Sequence, residues 1–596
     1  MSGLGLVLSI AKDALAAQQY SIEVTAHNIA NVNTPGYSRQ RPVYEAKEPA
    51  PYGGLLLGQG VDITQIIRVS DQFIENRLMQ QKSSMSSSKE MENYMQVLEG
   101  FFNENSETSI SAMLVEFWNF WHDIANNPSG TSERTALYEH SVQLAEQFNT
   151  LNADLTHLET DLTNAINSGI SKINQITDEI SILNGKIVGM EASNIANDLR
   201  DQRNILVSEL SEYLGVNTFE QDNGSLIVVT ARGCILVHGN SSYDLELGGD
   251  NGDRVKWQGS GGATVDITNY ITSGKLDGWL NMRDEIIAKY KLDLDALAKE
   301  FIWAVNQQHS QGVGLELFQP SSSVTGSYRT SNTLGDLKYG GAADGYVDYS
   351  GTFDLWIGDA NGANLQKVTV DLDDAGDPID ETSTLTELAI SINNQIVAVP
   401  LAGVTASVSA SGDAIVFTTD ASHTLGFADD TSNILAALGI NIFFTGATAG
   451  GIGVNNKIGS DKNFIAAAQI DSTGSYAIGN NTNAIAIAEL QYTAADIAQW
   501  TCSRINGNTE GSVTATNETY YHAMVGTIGI ASANISRDSA FNEVMVNKLS
   551  EVRDSISAVS LDEEMTNLIK FQHAYAAAAQ LISVSDEMLN TLLSVK

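Results

Sequence analysis

Apolar positions mark both ends of this chain in the same way. Leu4, Leu8, Ala11, Leu15, Gln18, Ile22, Thr25 and Ile29 follow one another in alternating steps of four and three. That is a heptad seam with two polar interruptions, and it predicts one amphipathic helix. At the far end Leu568, Phe571, Tyr575, Ala578, Ile582, Ser585, Leu589 and Leu592 repeat the spacing, and Leu581, Val584 and Met588 widen the stripe. The run AYAAAA between them is a strong helix former with small side chains. Each helix is apolar over much of its circumference, so neither suits water alone. Two helices sharing one core is the plain reading. The fuller one is a terminal coiled coil that also packs on neighbouring copies. Its candidate interface is Leu4, Leu8, Ala11, Leu15, Ile22 and Ile29 at one end. At the other it is Leu568, Phe571, Tyr575, Ala578, Ile582, Met588, Leu589 and Leu592.

Between the ends the pattern changes several times. Four of the eight prolines lie between Pro35 and Pro51, and VDITQIIRV reads as a strand. A helical pattern runs from about Ser70 to Leu214, interrupted once at NNPSG (126–130), with Gly215 as a C-cap. Within it Leu144, Phe148, Leu151, Leu155, Leu158 and Leu162 form a second heptad run, and Ile176, Ile180, Leu183 and Ile187 a third. VNTFEQ, SLIVVT and CILVHG read as strands around an Asn223-Gly224 turn. A helix follows with the face Ile287, Tyr290, Leu294, Leu297, Phe301 and Val305. From about 325 to 462 Gly, Ser, Thr and Asp dominate, strands are short, and LTELAISINN is the one expected helix. Helix is expected again at 482–507 and from about 515 to the end.

These elements predict a mainly helical α+β multidomain chain with nested domains. The terminal helices, in 1–69 and 556–596, pair as a coiled coil. A helical body, 70–324 and 463–555, carries a β-hairpin region near 216–270. Residues 325–462 form a β-rich inserted outer domain.

Charge narrows the function. There are 72 acidic residues against 32 basic, a formal net charge of −40. Phosphate contacts need clustered Lys and Arg, so nucleic acid and anionic membrane surfaces are excluded as partners. From Met1 to Lys82 acids and bases balance at seven each, so the acid lies beyond the N-terminal part. Two cysteines, Cys234 and Cys502, make no disulfide framework. The stretch MSGLGLVLSIAKDAL lacks a basic leader, and Lys12 and Asp13 interrupt its apolar run, so it reads as a helix of the mature chain. No stretch is long enough to span a membrane. None of the nine histidines forms a metal-spaced pair, and His309 reads as a C-terminal helix residue suited to the helix dipole. DLDDAGDPIDE has Ala375 and Thr382 where a calcium loop needs ligands. No nucleophile elbow or phosphate loop occurs. No enzyme activity, metal or cofactor is expected.

One segment invites a sharper reading. NIANVNTPGY ends the first helix, with Asn31 as a left-handed cap and Thr34-Pro35-Gly36-Tyr37 as a type II turn. Extended to NIANVNTPGYSRQRPVY, it resembles the N-terminal motif of the bacterial flagellar axial proteins, through Asn28, Ile29, Ala30, Asn31, Asn33, Thr34, Pro35, Gly36, Tyr37 and Arg39. SLDEEMTNLIKFQHAYAAAAQLISVSDEMLNTLL is similar to that family's C-terminal motif, through Glu564, Leu568, Ile569, Gln572, Ala574, Tyr575, Ala577, Asp586, Glu587, Met588, Leu589 and Leu592. LRDQRNILVSELSEYLGV, SLIVVTARGCILVHG and LDALAKEFIWAVNQQHSQGVG are similar to the body of its hook–filament junction members. The resemblance covers roughly residues 1–320 and 465–596.

It implies a structural subunit at the junction of hook and filament, exported by the flagellar type III apparatus to an extracellular position. Partners would be further copies in a ring or helical layer, the hook protein, a second junction protein and a dedicated export chaperone on the C-terminal helix. Another axial role, of hook or filament type, or surface binding through 325–462, are the alternatives. The turn residues Asn28, Asn31, Asn33, Thr34, Pro35, Gly36, Tyr37 and Arg39 would be the joint where a tube-lining helix turns toward the next domain.

Overall fold

The computed structural model describes residues 2–52, 55–102, 109–191, 195–249, 252–341, 345–397 and 403–594, with the side chains of Ser2, Gly3, Tyr52 and Leu592 outside that description. The first helix, α1 (Ser2–Ala30), leads into β1 (Gln40–Ala46), β2 (Ala50–Tyr52), β3 (Leu55–Leu57) and β4 (Val61–Arg68). Four helices follow: α2 (Gln72–Phe101), α3 (Ile110–Asn126), α4 (Thr131–Glu191) and α5 (Asn197–Tyr213). Then come β5 (Val216–Glu220), β6 (Leu226–Thr230), β7 (Ile235–His238), β8 (Ser241–Ser242), β9 (Leu245–Gly248), β10 (Arg254–Gln258) and β11 (Thr264–Asp266). Helix α6 (Lys275–Asn281) passes through a π-helical turn into α7 (Ala288–Ser310).

The β-rich stretch holds β12 (Ser323–Thr325), β13 (Thr352–Asp359), β14 (Gln366–Asp371), α8 (Leu385–Val397), β15 (Val404–Val408), β16 (Ile415–Thr419) and β17 (His423–Ala428). It continues through α9 (Ile434–Leu438), β18 (Phe444–Thr445), β19 (Gly453–Val454) and α10 (Asn456–Ser460). The chain closes with α11 (Thr482–Glu489), β20 (Ala495–Thr501), β21 (Thr509–Ala515), α12 (Asn517–Ser557) and α13 (Leu561–Ser594). The protein is therefore mainly helical, with all its named strand pairs antiparallel among the described residues. No helix of the described residues is long and apolar enough to cross a membrane.

The chain packs as two compact units. One comprises Met1–Tyr94, Asp161–Met282 and Ala533–Lys596. Within it α1 lies along α13, and β1 pairs with β4 from Gln40 opposite Arg68 to Ala46 opposite Val61. The third heptad run of the sequence is buried on α4 as Ile176, Ile180, Leu183 and Ile187. The Asn223-Gly224 hairpin joins β5 to β6, with Gly224 at φ 81°, in a four-stranded sheet ordered β5-β6-β7-β8.

The other unit comprises Met95–Thr160 and Arg283–Ser532. Its core is aromatic: Phe117, Trp118 and Trp121 of α3 meet Phe148, Phe301, Phe443 and Phe444, with Phe117 and Phe301 edge-on at 5.3 Å. Two three-stranded sheets, β12-β16-β15 and β14-β13-β17, build the β-rich part, and α8 packs on β14 and β15. Residues on either side of 325–462 join in: Phe318 bridges to Leu425, and Val313 to Ala468.

Five local expectations are corrected. Helix does not fill 482–507: after α11 the chain forms the β20–β21 hairpin, in register from Ala495 opposite Ala515 to Thr501 opposite Thr509. Its turn carries Asn506-Gly507, with Gly507 at φ 78°, an overlooked hairpin signal. The 70–214 region breaks in more places than 126–130. Ser109 caps α3 by accepting from the Ala112 N–H, and α5 starts anew at Asn197. A further break at 558–560 separates α12 from α13. Gly215 is no left-handed cap. Its N–H donates to the Ser273 carbonyl, and a Cβ there would lie 2.2 Å from Ser273 Oγ and turn that hydroxyl aside.

His309 is the fifth correction, because it is a fully buried neutral ring and not a charge at a helix end. Its Nδ1–H donates to the Asn441 carbonyl at 2.7 Å, and its Nε2 accepts from the Ala466 N–H at 2.9 Å. Burial, above all, lowers its pKa to about 4, and the guanidinium of Arg134 adds to that. The unfolded chain then binds a proton near pH 6.5 that the folded chain refuses, so this ring removes stability as pH falls from about 6.5 to 4, by roughly 3 kcal/mol. Asp430 acts in the opposite sense, since burial raises its carboxyl to about 6. Between about pH 6 and 4 the two slopes oppose one another. His309→Gln removes one of them. Its unfolding free energy, whatever its level at pH 7, should fall less steeply than the wild type's on acidification from pH 6.5 to 4.5, as read by denaturant titration across that range.

Candidate functional site

The two terminal motifs meet in one buried polar joint. α1 ends because Asn31 turns its side-chain Nδ2 back onto the His27 carbonyl at 3.0 Å, and the Asn31 carbonyl accepts the Thr34 N–H at 2.9 Å. Asn31 is not left-handed, as the sequence suggested, because its side chain does the capping. The type II turn is present: Tyr37 N–H donates to the Thr34 carbonyl, and Gly36 has φ 74°. A Cβ on Gly36 would sit 2.5 Å from Cγ1 of Ile205 on α5, so the turn needs glycine for conformation and for space.

Asn28, 1% exposed, is the centre. Its Nδ2 donates to the Gln40 carbonyl at 2.9 Å and to Oε2 of Glu564 at 3.1 Å. Its Oδ1 accepts from the Tyr37 hydroxyl at 2.7 Å and from the Gln40 N–H at 3.0 Å. Both donors and both lone pairs are used. Glu564, 2% exposed at the start of α13, also accepts from Arg39 Nε at 2.8 Å, while Arg39 reaches Glu563 at 2.7 Å. The Arg39 backbone N–H donates to the Ser557 carbonyl at the end of α12.

α5 supplies the third side. Asp201 accepts from the Ser38 N–H at 3.0 Å and from Arg68 at 2.8 Å. Asp198 accepts from Gln40 Nε2 at 2.8 Å, and Asn197 donates to the Ile66 carbonyl at 2.8 Å. Burial, with the carboxylates of Asp198, Asp201 and Glu564 around it, pushes the Tyr37 hydroxyl far above the ordinary phenol range, so it stays a donor to Asn28.

The sequence-derived residues divide accordingly. The joint brings together Asn28, Tyr37 and Arg39, shaped by Asn31, Thr34, Pro35 and Gly36. Asn33 is exposed and makes no hydrogen bond shown in this joint. In the helix pair Ala11 and Ala578 are buried, while Leu4, Leu8, Leu15, Ile22, Ile29, Leu568, Phe571 and Ile582 are half-buried. Tyr575, Met588 and Leu589 are exposed, and the side chain of Leu592 lies outside the described residues. The fully buried positions of the two helices are Ala11, Ala17, Ser21, Val24, Thr25 and Asn28 on α1 and Glu564, Ala578 and Ser585 on α13, of which Ala11, Thr25, Ala578 and Ser585 belong to the heptad runs. Gln40, Arg68, Asn197, Asp198, Asp201 and Ser557 were not singled out from sequence. Among the described residues no group of three or more His, Cys, Asp or Glu is placed to hold a metal ion.

Fold and joint together define a structural protein whose two chain ends close one unit. Comparison with known proteins agrees. Residues 8–37 match the flagella basal body rod protein model, and 554–595 match the flagellar basal body rod FlgEFG protein C-terminal model. Residues 95–319 match the flagellar hook-associated protein FlgK helical domain. Flagellar hook-associated protein 1 of Bacillus subtilis (strain 168) is 25% identical, with 100% of this chain and 99% of that one covered. The Escherichia coli (strain K12) protein of the same name is 24% identical, with 99% and 100% covered. A solved structure titled as the flagellar hook junction protein FlgK from Burkholderia pseudomallei covers 81% of this chain and 100% of its own, at 18% identity and a TM-score of 0.48. Over its full length the chain is similar to flagellar hook-associated protein 1, and three of its segments match flagellar rod and hook-associated family models.

Two substitutions test the joint. Asn28→Ala leaves the Glu564 carboxylate and the Gln40 backbone short of partners, and should destabilise the first unit by roughly 2–4 kcal/mol. Gly36→Ala should cost about 1–2 kcal/mol from its left-handed conformation, plus the clash with Ile205. Adding Ile205→Ala should recover the clash part only. A double-mutant cycle showing no coupling between positions 36 and 205 contradicts this account.

Proposed function

We infer that this chain is a structural subunit of the bacterial flagellum that forms the junction between hook and filament. The observation that carries this is the joint itself, in which Asn28, Tyr37 and Arg39 of the N-terminal motif close on Glu564 of the C-terminal motif. Around it α1 and α13 keep large apolar side chains in water, among them Val7, Tyr20, Met565, Ile569, Leu581 and Leu593. Self-association and contact with hook-type partners supply the burial that these helices lack.

We extend the reading in three directions. Residues 1–69 and 556–596 serve as the tube-lining part, with Leu4, Leu8, Leu15, Ile22, Ile29, Tyr575, Met588, Leu589 and Leu592 as contacts to adjoining copies. Residues 70–324 with 463–555 form the body, and 325–462 the outer insert. The chain is delivered to the cell exterior by the flagellar type III apparatus, held before export by a dedicated chaperone on the apolar face of α13. The second junction protein then adds beyond it. The role is structural and needs no enzyme chemistry.

Deleting residues 560–596 removes Glu564 and all of α13. Cells carrying only that truncated chain should make hooks without filaments and lose flagellin to the medium, as scored by electron microscopy. The second unit contains none of the deleted residues, so its five tryptophans, at 118, 121, 303, 356 and 500, should keep their native fluorescence. Filaments on the truncated chain would refute the assignment.

A further inference from the structure

Helix α2 carries a run of hydroxyls, KSSMSSSKE, in which Ser83, Ser84, Ser87 and Ser88 lie on one side of the helix. Serines are mostly surface residues, yet Ser83, Ser87 and Ser88 are buried. Three of the four hydroxyls are committed. Ser84 donates to the Gln80 carbonyl, Ser87 to Asp277 at 2.8 Å, and Ser88 to the Ser84 carbonyl. Ser83 differs: it is 2% exposed, and its Oγ has no hydrogen-bond partner among the described residues. A buried hydroxyl is costly to leave unpaired unless something comes to meet it.

Two cavities open along this side of α2, both within the first unit. One, of about 290 Å³, is bordered by Ser83, Gly215, Asn217, Thr272 and Ser273. The other, of about 250 Å³, is bordered by Ser87 and, on α12, by Asp538, Phe541 and Asn542. Ser84 and Thr272 border both, so the two form one groove. Ser83 Oγ faces the first half, since a Cβ on Gly215 would lie 3.8 Å from it.

The lining selects a ligand chemistry. Hydroxyls and side-chain amides fill the first half; they donate and accept, as the hydroxyls of a sugar do. In the second half Phe541 keeps its ring 62% exposed, with Asp538 one turn before it. Asn542 is fixed beside them, donating to Ser88 Oγ at 3.1 Å and accepting from Gln81 Nε2 at 2.7 Å. An aromatic face packs on the apolar CH face of a sugar ring, while a carboxylate next to it accepts from ring hydroxyls. No Lys or Arg borders either half among the described residues, so an anion finds no countercharge there. An apolar ligand would strand the hydroxyls.

We propose that the groove between α2 and α12 binds a neutral saccharide two rings long. One ring stacks on Phe541 beside Asp538, and the other meets Ser83 and Thr272. This site is separate from the surface of α1 and α13, and it does not depend on the junction role.

The test uses the full-length chain and saturation-transfer NMR, with maltose and cellobiose as neutral probes and glucuronic acid as the anionic one. Saturation should pass to the ring CH protons of at least one disaccharide and not to glucuronate. Phe541→Ala should weaken binding roughly tenfold. Ser84→Leu, which fills the waist of the groove, should abolish it, with near-ultraviolet circular dichroism checking that the chain keeps its packing. Ser83→Ala needs no extra room. It should raise the unfolding midpoint of the free chain and shrink the further rise that the disaccharide brings. No transfer to either disaccharide overturns the proposal, as does equal transfer to glucuronate. So does transfer unchanged in Phe541→Ala and Ser83→Ala, or ordered water alone in the groove of a crystal soaked with the bound sugar. Retention on insoluble cellulose or amylose, released by the matching disaccharide, assigns a glycan chain as the source. Binding of the free disaccharide alone assigns a soluble sugar.

Discussion

The first unit depends on the amide of Asn28. A primary amide offers two donors and two acceptor sites, and here each has a partner on a different part of the chain. Such a group gains little when satisfied but costs much when one partner leaves, because the remaining polar atoms are stranded out of water. The turn after α1, the start of β1 and the start of α13 therefore stand or fall together. Glu564 extends the dependence, since the carboxylate that accepts from Asn28 is also neutralised by Arg39. A charge at 2% exposure without that guanidinium would be costly.

The same device recurs elsewhere. Asn184 of α4 donates to the Leu226 and Gly239 carbonyls and accepts from the Leu226 N–H. Asn174 exchanges both bonds with Leu245, and Asn393 of α8 does so with Ala406. Asn306 of α7 donates to the Phe444 carbonyl and accepts from the Phe443 and Phe444 N–H groups. In each case a helical side-chain amide stands in for a missing strand neighbour. It satisfies backbone groups that a short sheet leaves open. Helix-borne asparagines thus close open backbone groups at β6, β9, β15 and β18.

Legibility in the sequence followed the kind of force involved. Apolar periodicity located the terminal helices, the heptad runs of α4 and the buried face of α7, because those positions are buried by one smooth rule. The Pro35-Gly36 turn was readable from its own residues. Elements whose reason lies far away were not. Asp198 and Asp201 gain their meaning from Gln40, Ser38 and Arg68, more than a hundred residues distant. His309 has its character set by the Asn441 and Ala466 backbone. The β20 strand was mistaken for helix because its alanines fit either period, and its pairing is decided by β21 and by packing on α7.

In the terminal pair most heptad positions are half-buried or buried. The fully buried residues of the two helices are mostly Ala, Ser, Thr, Asn and Glu, and Ser21 and Asn28 among them turn to Tyr44 and Gln40 of β1. Small side chains let neighbouring elements approach α1 closely, and Ser21 satisfies its hydroxyl within the helix, on the Ala17 carbonyl at 2.6 Å. The larger residues then flank the contact, half-buried or exposed. Both helices also keep large apolar side chains exposed, among them Val7, Met565, Ile569 and Leu581. Their remaining burial depends on further copies, so the stability of these helices must rise with the concentration of assembled neighbours. A subunit that had buried its leucines internally would be more stable alone and would have less to offer a neighbour.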